Sequence, residues 1–339
     1  MFIMKNVTNN DISLPGIVNE SQYNTVLIFI CAGFTIFAFF GIISNAVNIK
    51  TFFAMGLKDS VTVSFLALSV FDLTYLISTC CFTIALAFSL IEKDYFKHFP
   101  IEPYGVYILF GHVLILINVT NTLTTTFLAV ARCMCVAKPL HFKHSFTVKR
   151  TVVIMTGFAV FAVAIYTPLL ANMGMVPRLD PKTNTSRPML WLSPYRDSVK
   201  NVVWTLIQTL LPVVTDLSLR TAFRFRKASQ ISVCDREVSN AKGKTDSSND
   251  TSDKLSGKDI RVVKQVTFIS LVYIMCNTPK VVTSIVSLIE VEFSLRQRYN
   301  NLYLCFNYFR MNFEIFNASI NTFIYYAYNT KFKTTLSRQ

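Results

Sequence analysis

Seven long apolar stretches are the feature of this sequence that most restricts how the chain can fold. They cover residues 25–49, 61–90, 104–131, 151–170, 199–219, 265–289 and 300–328. A helix needs about 20 mainly apolar residues to cross the hydrocarbon core of a bilayer, and each stretch is close to that length or longer. The sequence therefore predicts an all-α membrane protein, built as a seven-transmembrane helix bundle.

The rest of the chain leaves little material for a separate soluble domain. Hydrophobic residues make up 52% of the 339 residues and charged residues 15%, and most connections between the stretches are short. The long connection, residues 228–258, is rich in Ser, Asp, Lys and Gly and is predicted to be a disordered loop segment. Hydrolase motifs such as HExxH and GxSxG do not occur, so neither an enzyme nor a cofactor is expected.

Loop charge predicts the orientation in the membrane. Of the 33 Lys and Arg residues, 21 fall on one side of the stretches and ten on the other. Because Lys and Arg next to spans are retained in the cytoplasm, we expect a multi-pass plasma-membrane protein with residues 1–24 outside and the tail inside. No cleavable signal peptide is predicted, since residues 1–24 are polar. The same bias explains most of the net charge of +14 without a nucleic-acid partner.

Glycosylation sequons give a second indication of orientation. Asn6, Asn19 and Asn184 begin Asn-X-Ser/Thr sequences on the side expected to be outside, and they are predicted glycosylation sites. The sequons at Asn118 and Asn317 lie within apolar stretches, and the one at Asn249 lies on the inner side. We interpret these three as chance matches.

Asp72 is the charged residue of the second stretch, and a charge within the bilayer is expected to face the bundle interior. Polar residues of other stretches are expected at a similar depth, namely Asn45, Asn121, Asn317, Ser319 and Asn321. Their oxygens could hold a sodium ion, and no other metal site is predicted. The alternative is a structural hydrogen-bond network between helices, worth roughly 1 kcal/mol per contact.

A second polar group is predicted nearer the outer side, where it would line a cavity and bind a ligand. Its members are His112, Gln208, Lys280, Arg310 and Glu314. Glu314 lies one turn after Arg310, so a structural ion pair with Arg310 or Lys280 is one interpretation. A single carboxylate leaves one cation in excess, which favours a ligand with an anionic group such as a carboxylate.

Short motifs in six of the seven stretches together resemble the rhodopsin class of G-protein-coupled receptors. They are GIISN with Asn45, LALSVFDL with Asp72, ARCMCVAKPL with Arg132, Pro212, the Cys276 to Pro279 segment, and Asn321 with Tyr325. Residues 329–339, beginning NTKFK, resemble the short amphipathic eighth helix of that class. Each match is weak alone, whereas the ordered set is specific.

The sequence also departs from the pattern of that class. Ala131 and Cys133 flank Arg132 where the class has an acid and a tyrosine, and Asp259 is our hypothesised partner for this arginine. Asn277 replaces the sixth-span aromatic residue, and Thr322 replaces the seventh-span proline. No cysteine pair is placed to form the disulfide of the outer loops.

The resemblance implies a receptor that binds an extracellular ligand and activates a heterotrimeric G protein. Leu114 and Ile315 occupy the positions of the amine-binding aspartate and the retinal-linked lysine, which disfavours those ligands. A peptide or a small chemosensory molecule remains, and the divergent motifs look similar to invertebrate, mollusc-like receptors. The implied activation network is Asn45, Asp72, Asn121, Arg132, Asp259, Asn277, Pro279, Asn317, Asn321 and Tyr325. The alternatives are a receptor-like binder that does not signal and a small-molecule transporter.

Overall fold

The computed structural model describes residues 17–95, 98–137, 146–180, 184–196, 198–200, 202–203, 206, 257–294 and 297–339. Among these, the helices are α1 (Glu20–Met55), α2 (Ser60–Tyr95), α3 (Pro103–Ala137), α4 (Val148–Leu170), α5 (Gly257–Ile289), α6 (Asn300–Tyr328) and α7 (Thr330–Leu336). Two strands, β1 (Met173–Leu179) and β2 (Ser186–Leu192), follow α4. The described chain is therefore mainly helical, as the sequence predicts.

Each predicted stretch except the fifth lies within one of these helices. The seventh stretch, 300–328, has the bounds of α6, and the segment predicted as an eighth helix contains α7. The fifth stretch, 199–219, and the predicted disordered segment lie almost entirely outside the described residues.

Four of the described helices are long and apolar enough to cross a membrane. They are Glu20–Met55, Ser60–Lys93, Pro103–Leu128 and Val148–Leu170, while α5 contains a shorter apolar stretch, Ile274–Ile289. Large apolar side chains cover the outward faces of the helices, including Phe29, Phe40 and Val153, each more than half exposed. An apolar surface of this extent is compatible with a helical membrane protein.

Side-chain caps fix where several helices begin. At the start of α1, the Asn19 side chain accepts a hydrogen bond from the Gln22 backbone N–H, and the Gln22 side chain accepts one from the Asn19 backbone N–H. This reciprocal capping box satisfies two backbone donors that the helix start leaves free. At the other end, Gly56 has a φ of 80°, a conformation that other residues rarely adopt, and it terminates α1.

Helix α1 packs against α2 and α6, α2 also packs against α3, and α3 contacts α4 and α5. One apolar cluster lies between α1, α2, α3 and α6, with Phe34, Leu76 and Ile315 fully buried. A second cluster, around Phe52 and Tyr325, also includes Phe332 of α7. The burial of Phe332 fixes the short last helix against the end of α1 and α6.

The two strands form an antiparallel hairpin that the sequence did not predict. Its register pairs Met173 with Leu192 and Leu179 with Ser186. The hairpin lies at the end of the bundle where α1 and α6 begin, which we call the hairpin end. There the Glu102 backbone N–H donates to the Pro188 carbonyl, and Asn301 donates to the Val18 carbonyl.

Gly41 permits the close approach of α1 to α2 and α6. A Cβ built on Gly41 would lie 2.7 Å from Leu76 Cδ1 and closer still to the Ser319 hydroxyl. Real side chains do not sit at such distances, so a larger residue would force the three helices apart. The hydroxyl of Ser319 also donates toward the Phe37 carbonyl of α1, so the contact is polar as well as close.

Replacing Gly41 with Ala is expected to destabilise the bundle by about 1–3 kcal/mol through overpacking. Gly157 is the matched control, because it lies inside α4 and a Cβ there would meet no atom within 4 Å. Gly157→Ala should be neutral or stabilising by about 0.5–1 kcal/mol, the helix-propensity gain. Thermal unfolding of the purified chain in detergent measures both, and equal melting temperatures for the two variants would contradict the close contact.

Candidate functional site

The carboxylate of Asp72 joins three helices in the middle of the bundle. Asn121 Nδ2 of α3 donates to Asp72 Oδ1 at 3.0 Å, and Asn321 Nδ2 of α6 donates to Asp72 Oδ2 at 2.8 Å. Asp72 is 2% exposed, so water does not replace these donors. A buried polar group without hydrogen-bond partners is costly, so this pair of bonds holds α2, α3 and α6 together.

Asn45, predicted near Asp72, has a different set of partners. Its Nδ2 donates to the Gly41 carbonyl at 2.9 Å and to the Ala318 carbonyl at 2.8 Å. The neighbouring Asn48 lies with its Oδ1 2.8 Å from the Thr322 hydroxyl. The asparagines of α1 therefore bind the backbone and side chains of α6, the helix that also carries Asn321.

Three buried oxygens lie beside the Asp72 contacts on the same helices. They are Ser69 Oγ, Asn121 Oδ1 and Thr124 Oγ1, and none has a hydrogen-bond partner among the described residues. Ser69 lies one turn before Asp72, and Thr124 one turn after Asn121, so each shares a helix face with its neighbour. A sodium ion here would take its oxygens from this set and from the Asp72 carboxylate.

A second carboxylate, Glu314, lies at the midpoint of α6 and collects side chains from four helices. Arg310 Nη1 donates to Glu314 Oε1 at 2.8 Å, and Lys280 Nζ of α5 lies 3.8 Å from the same oxygen. The Tyr75 hydroxyl of α2 donates to Glu314 Oε2 at 3.0 Å. Asn118 of α3 lies close enough to this carboxylate to interact with it electrostatically. The structure thus brings together three of the predicted ligand-binding residues.

The two carboxylate clusters are neighbours along the bundle. Tyr75 lies one turn after Asp72 on α2, and Asn321 lies two turns after Glu314 on α6, so each pair shares a helix face. Helices α2 and α6 are therefore joined twice, by Tyr75 with Glu314 and by Asp72 with Asn321. Any sliding of one helix on the other must disturb both contacts.

His112 contacts a different group at the hairpin end. Arg196 Nη2 lies 3.4 Å from His112 Nε2, and the ring packs 6.4 Å from that of Tyr166. Since an arginine only donates, His112 Nε2 accepts, and the buried Nδ1 has no partner among the described residues. Lys200 lies close enough to His112 for electrostatic interaction. The remaining predicted ligand residue, Gln208, lies outside the described residues.

Other predicted network residues are placed as follows. Tyr325 is fully buried in the aromatic cluster with Phe52, Phe65 and Phe332, with ring centroids 4.9–5.7 Å away. Asn317 is half-buried between Glu314 and Asn321 on α6, and Asn277 is half-buried on α5. Pro279 lies inside α5, where it removes one backbone donor from the helix ladder. Arg132 and Asp259 are helical, but their side chains lie outside the described part, so their hypothesised pairing stays a prediction.

Arg187 of β2 attaches the hairpin to the bundle through ion pairs. Its Nη1 lies 2.5 Å from Glu92 Oε1 of α2 and donates to the Phe99 carbonyl, and its Nη2 lies 2.9 Å from Asp180 Oδ2. His98 Nδ1 lies 3.5 Å from the same Glu92 oxygen. These contacts attach the strands to the α2–α3 connection without a covalent bond. The described cysteines, Cys31, Cys80, Cys81, Cys276 and Cys305, are free thiols.

The two described sequon asparagines of the hairpin end are exposed. Asn19 precedes α1, and Asn184 follows β1 with a φ of 54°. Asn6 lies outside the described residues.

Sequence reasoning missed Tyr75 and Asn118 as partners of Glu314. Asn118 begins a sequon within an apolar stretch, and an asparagine at such a place also indicates a buried polar contact. The signal for Tyr75 was its spacing of one turn from Asp72. Neither signal identifies a partner on α6 without the packing of the helices.

No known protein-family model matches this sequence, and no curated protein matches it significantly.

Replacing Arg187 with Ala is expected to loosen the hairpin, because Glu92 and Asp180 would then lose the guanidinium that joins them. Breaking a buried ion pair costs about 3–5 kcal/mol, and the partial exposure of Glu92 places the expected cost at about 3 kcal/mol or less. Arg178→Ala is the matched control, since Arg178 lies directly opposite Arg187 in the register and is exposed. Amide hydrogen exchange of residues 173–192 should accelerate only in Arg187→Ala. Equal exchange in both variants would contradict the attachment of the hairpin through Arg187.

Proposed function

We propose that the chain is a seven-span receptor of the rhodopsin class, which binds an extracellular ligand and activates a heterotrimeric G protein. The main support is the Asp72 carboxylate, which joins Asn121 and Asn321 across three helices. Asp72 and Asn321 belong to the sequence motifs that resemble the class, and they meet in space although they are far apart in sequence. Their meeting is what a network that couples helix positions requires.

The proposed activation is a population shift between two arrangements of the helices. Ligand enters at the hairpin end, which we assign to the outside, and contacts the cluster around Glu314. The double connection between α2 and α6 carries a change at Glu314 to Asp72, because both contacts respond to the same relative motion. The opposite end of α5 then moves outward, and G protein binds Arg132, residues 139–150 and the basic segments that flank residues 228–258.

The expected test is guanine-nucleotide exchange by a purified G protein with the full chain in nanodiscs, across a panel of peptides and water-soluble odorants. At least one compound should accelerate exchange by roughly tenfold or more, equivalent to about 1.4 kcal/mol of activation free energy. Arg132→Ala and Asp72→Asn should each abolish that response. Asp259→Ala should raise exchange without ligand, because it removes the hypothesised partner of Arg132.

Arg298→Ala is the control, since Arg298 is exposed and lies 3.8 Å from Glu292 in the connection before α6. Its response should equal that of the unaltered chain. Ligand that binds without nucleotide exchange would instead support a receptor-like binder, and substrate flux in proteoliposomes would support a transporter. An unchanged response in both Arg132→Ala and Asp72→Asn would contradict the assigned roles.

Orientation has a separate test in glycosylation. After expression in eukaryotic cells, Asn19→Gln and Asn184→Gln should each remove one glycan, seen as a mobility shift on gels with and without peptide-N-glycosidase. Asn249→Gln is the control, because its sequon lies on the side assigned to the cytoplasm. A glycan at Asn249 and none at Asn184 would reverse the proposed orientation.

A further inference from the structure

The Glu314 carboxylate is already surrounded by polar and cationic groups of the bundle. A carboxylate offers about four lone-pair positions. Arg310 and Tyr75 each donate to Glu314, Asn118 interacts with it electrostatically, and the Lys280 ammonium approaches the Arg310-bound oxygen to 3.8 Å. The side chain is 8% exposed, so these four groups enclose it. A ligand amine would have to displace one of them before it could bind Glu314.

The two cations of the same cluster, Arg310 and Lys280, keep N–H donors that Glu314 does not use. Arg310 uses Nη1 for Glu314 and Nε for Asn307 Oδ1 at 3.0 Å, and no described residue accepts from its Nη2. The Lys280 ammonium lies beyond hydrogen-bond distance of Glu314, and its side chain is 29% exposed. Within the described residues, Glu314 is the only carboxylate within 4 Å of either cation.

The net charge of the cluster also favours the binding of an anion. Two cations share one carboxylate, which leaves a net positive charge inside an apolar bundle. An uncompensated charge in such surroundings is unfavourable, so an added anion gains affinity from neutralising it. A planar carboxylate is suited to the guanidinium fork of Arg310 and can accept from the Lys280 ammonium as well.

We propose that this cluster binds the carboxylate group of the ligand between Lys280 and Arg310, while Glu314 stays in place as their internal counter-ion. The inference rests on the proposed receptor function, since it names the chemistry of that receptor's ligand. Ligands whose recognition group is a cationic amine are excluded from this position.

The test uses matched probes on the full chain in nanodiscs, with no G protein present. The probes are straight-chain carboxylates from acetate to octanoate, benzoate and phenylacetate, each with its matched alcohol and amine. Reductive methylation with carbon-13 labels the lysines and keeps their charge, and Lys280→Arg assigns the Lys280 signal. Titration of that signal gives the dissociation constant of each probe.

At least one carboxylate should shift the Lys280 signal saturably, and its alcohol and amine should not. Arg310→Gln should weaken the binding of that carboxylate by roughly ten- to a hundredfold, as loss of a charge-assisted hydrogen bond does. Lys93→Gln is the control, since Lys93 is an exposed cation paired with Glu20 at the hairpin end, and it should leave the affinity unchanged.

The direction in which Glu314→Gln changes the affinity for a carboxylate distinguishes an anion site from an amine site. Removing the internal counter-ion should tighten carboxylate binding, whereas it would weaken binding of an amine. The proposal is overturned if no carboxylate binds saturably, or if an amine or alcohol binds the unaltered chain as tightly as the matched acid. It is also overturned if Glu314→Gln weakens the binding of the carboxylate. The comparison of acid, alcohol and amine needs no variant, so it decides even if Glu314→Gln does not fold. Because the assay contains no G protein, a failure of signalling does not affect its result.

Discussion

The buried carboxylate of Asp72 is the interaction on which the rest of the described bundle depends. In an apolar interior, helices are joined mainly by close packing and by a few polar contacts. Asp72 contributes two such contacts through Asn121 and Asn321, and both its oxygens are engaged. Since a buried carboxyl group without hydrogen-bond partners is costly, Asp72 restricts how far α2, α3 and α6 can move independently.

Close packing complements this polar restraint. Gly41 brings α1 against the residues that follow Glu314 on α6, and Asn45 binds the backbone of the same segment. At the opposite end, Phe332 holds α7 on Tyr325 and Phe52. Helix α6 therefore makes polar contacts in its middle and aromatic contacts at its end, which is why its side chains dominate the candidate site.

Six of the seven predicted stretches lie within described helices, because a long run of mainly apolar residues is typical of a helix that can cross a membrane. The pairing of Asp72 with Asn321 was also predictable, since both are polar residues at matching depths. The partners of Glu314 were only partly predictable: Arg310 follows from helical spacing, and Lys280 from charge. Tyr75 and Asn118 depend on how α2 and α3 face α6, which no local pattern encodes.

The hairpin escaped prediction because its strands carry prolines at Pro177 and Pro188 and lack a clear apolar alternation. Its attachment through Arg187 has a consequence for biogenesis. A disulfide at such a place forms only when an oxidant is present and can form between the wrong cysteines. An ion-paired attachment assembles as soon as Glu92, Asp180 and Arg187 meet, it needs no oxidising enzyme, and reducing agents leave it intact.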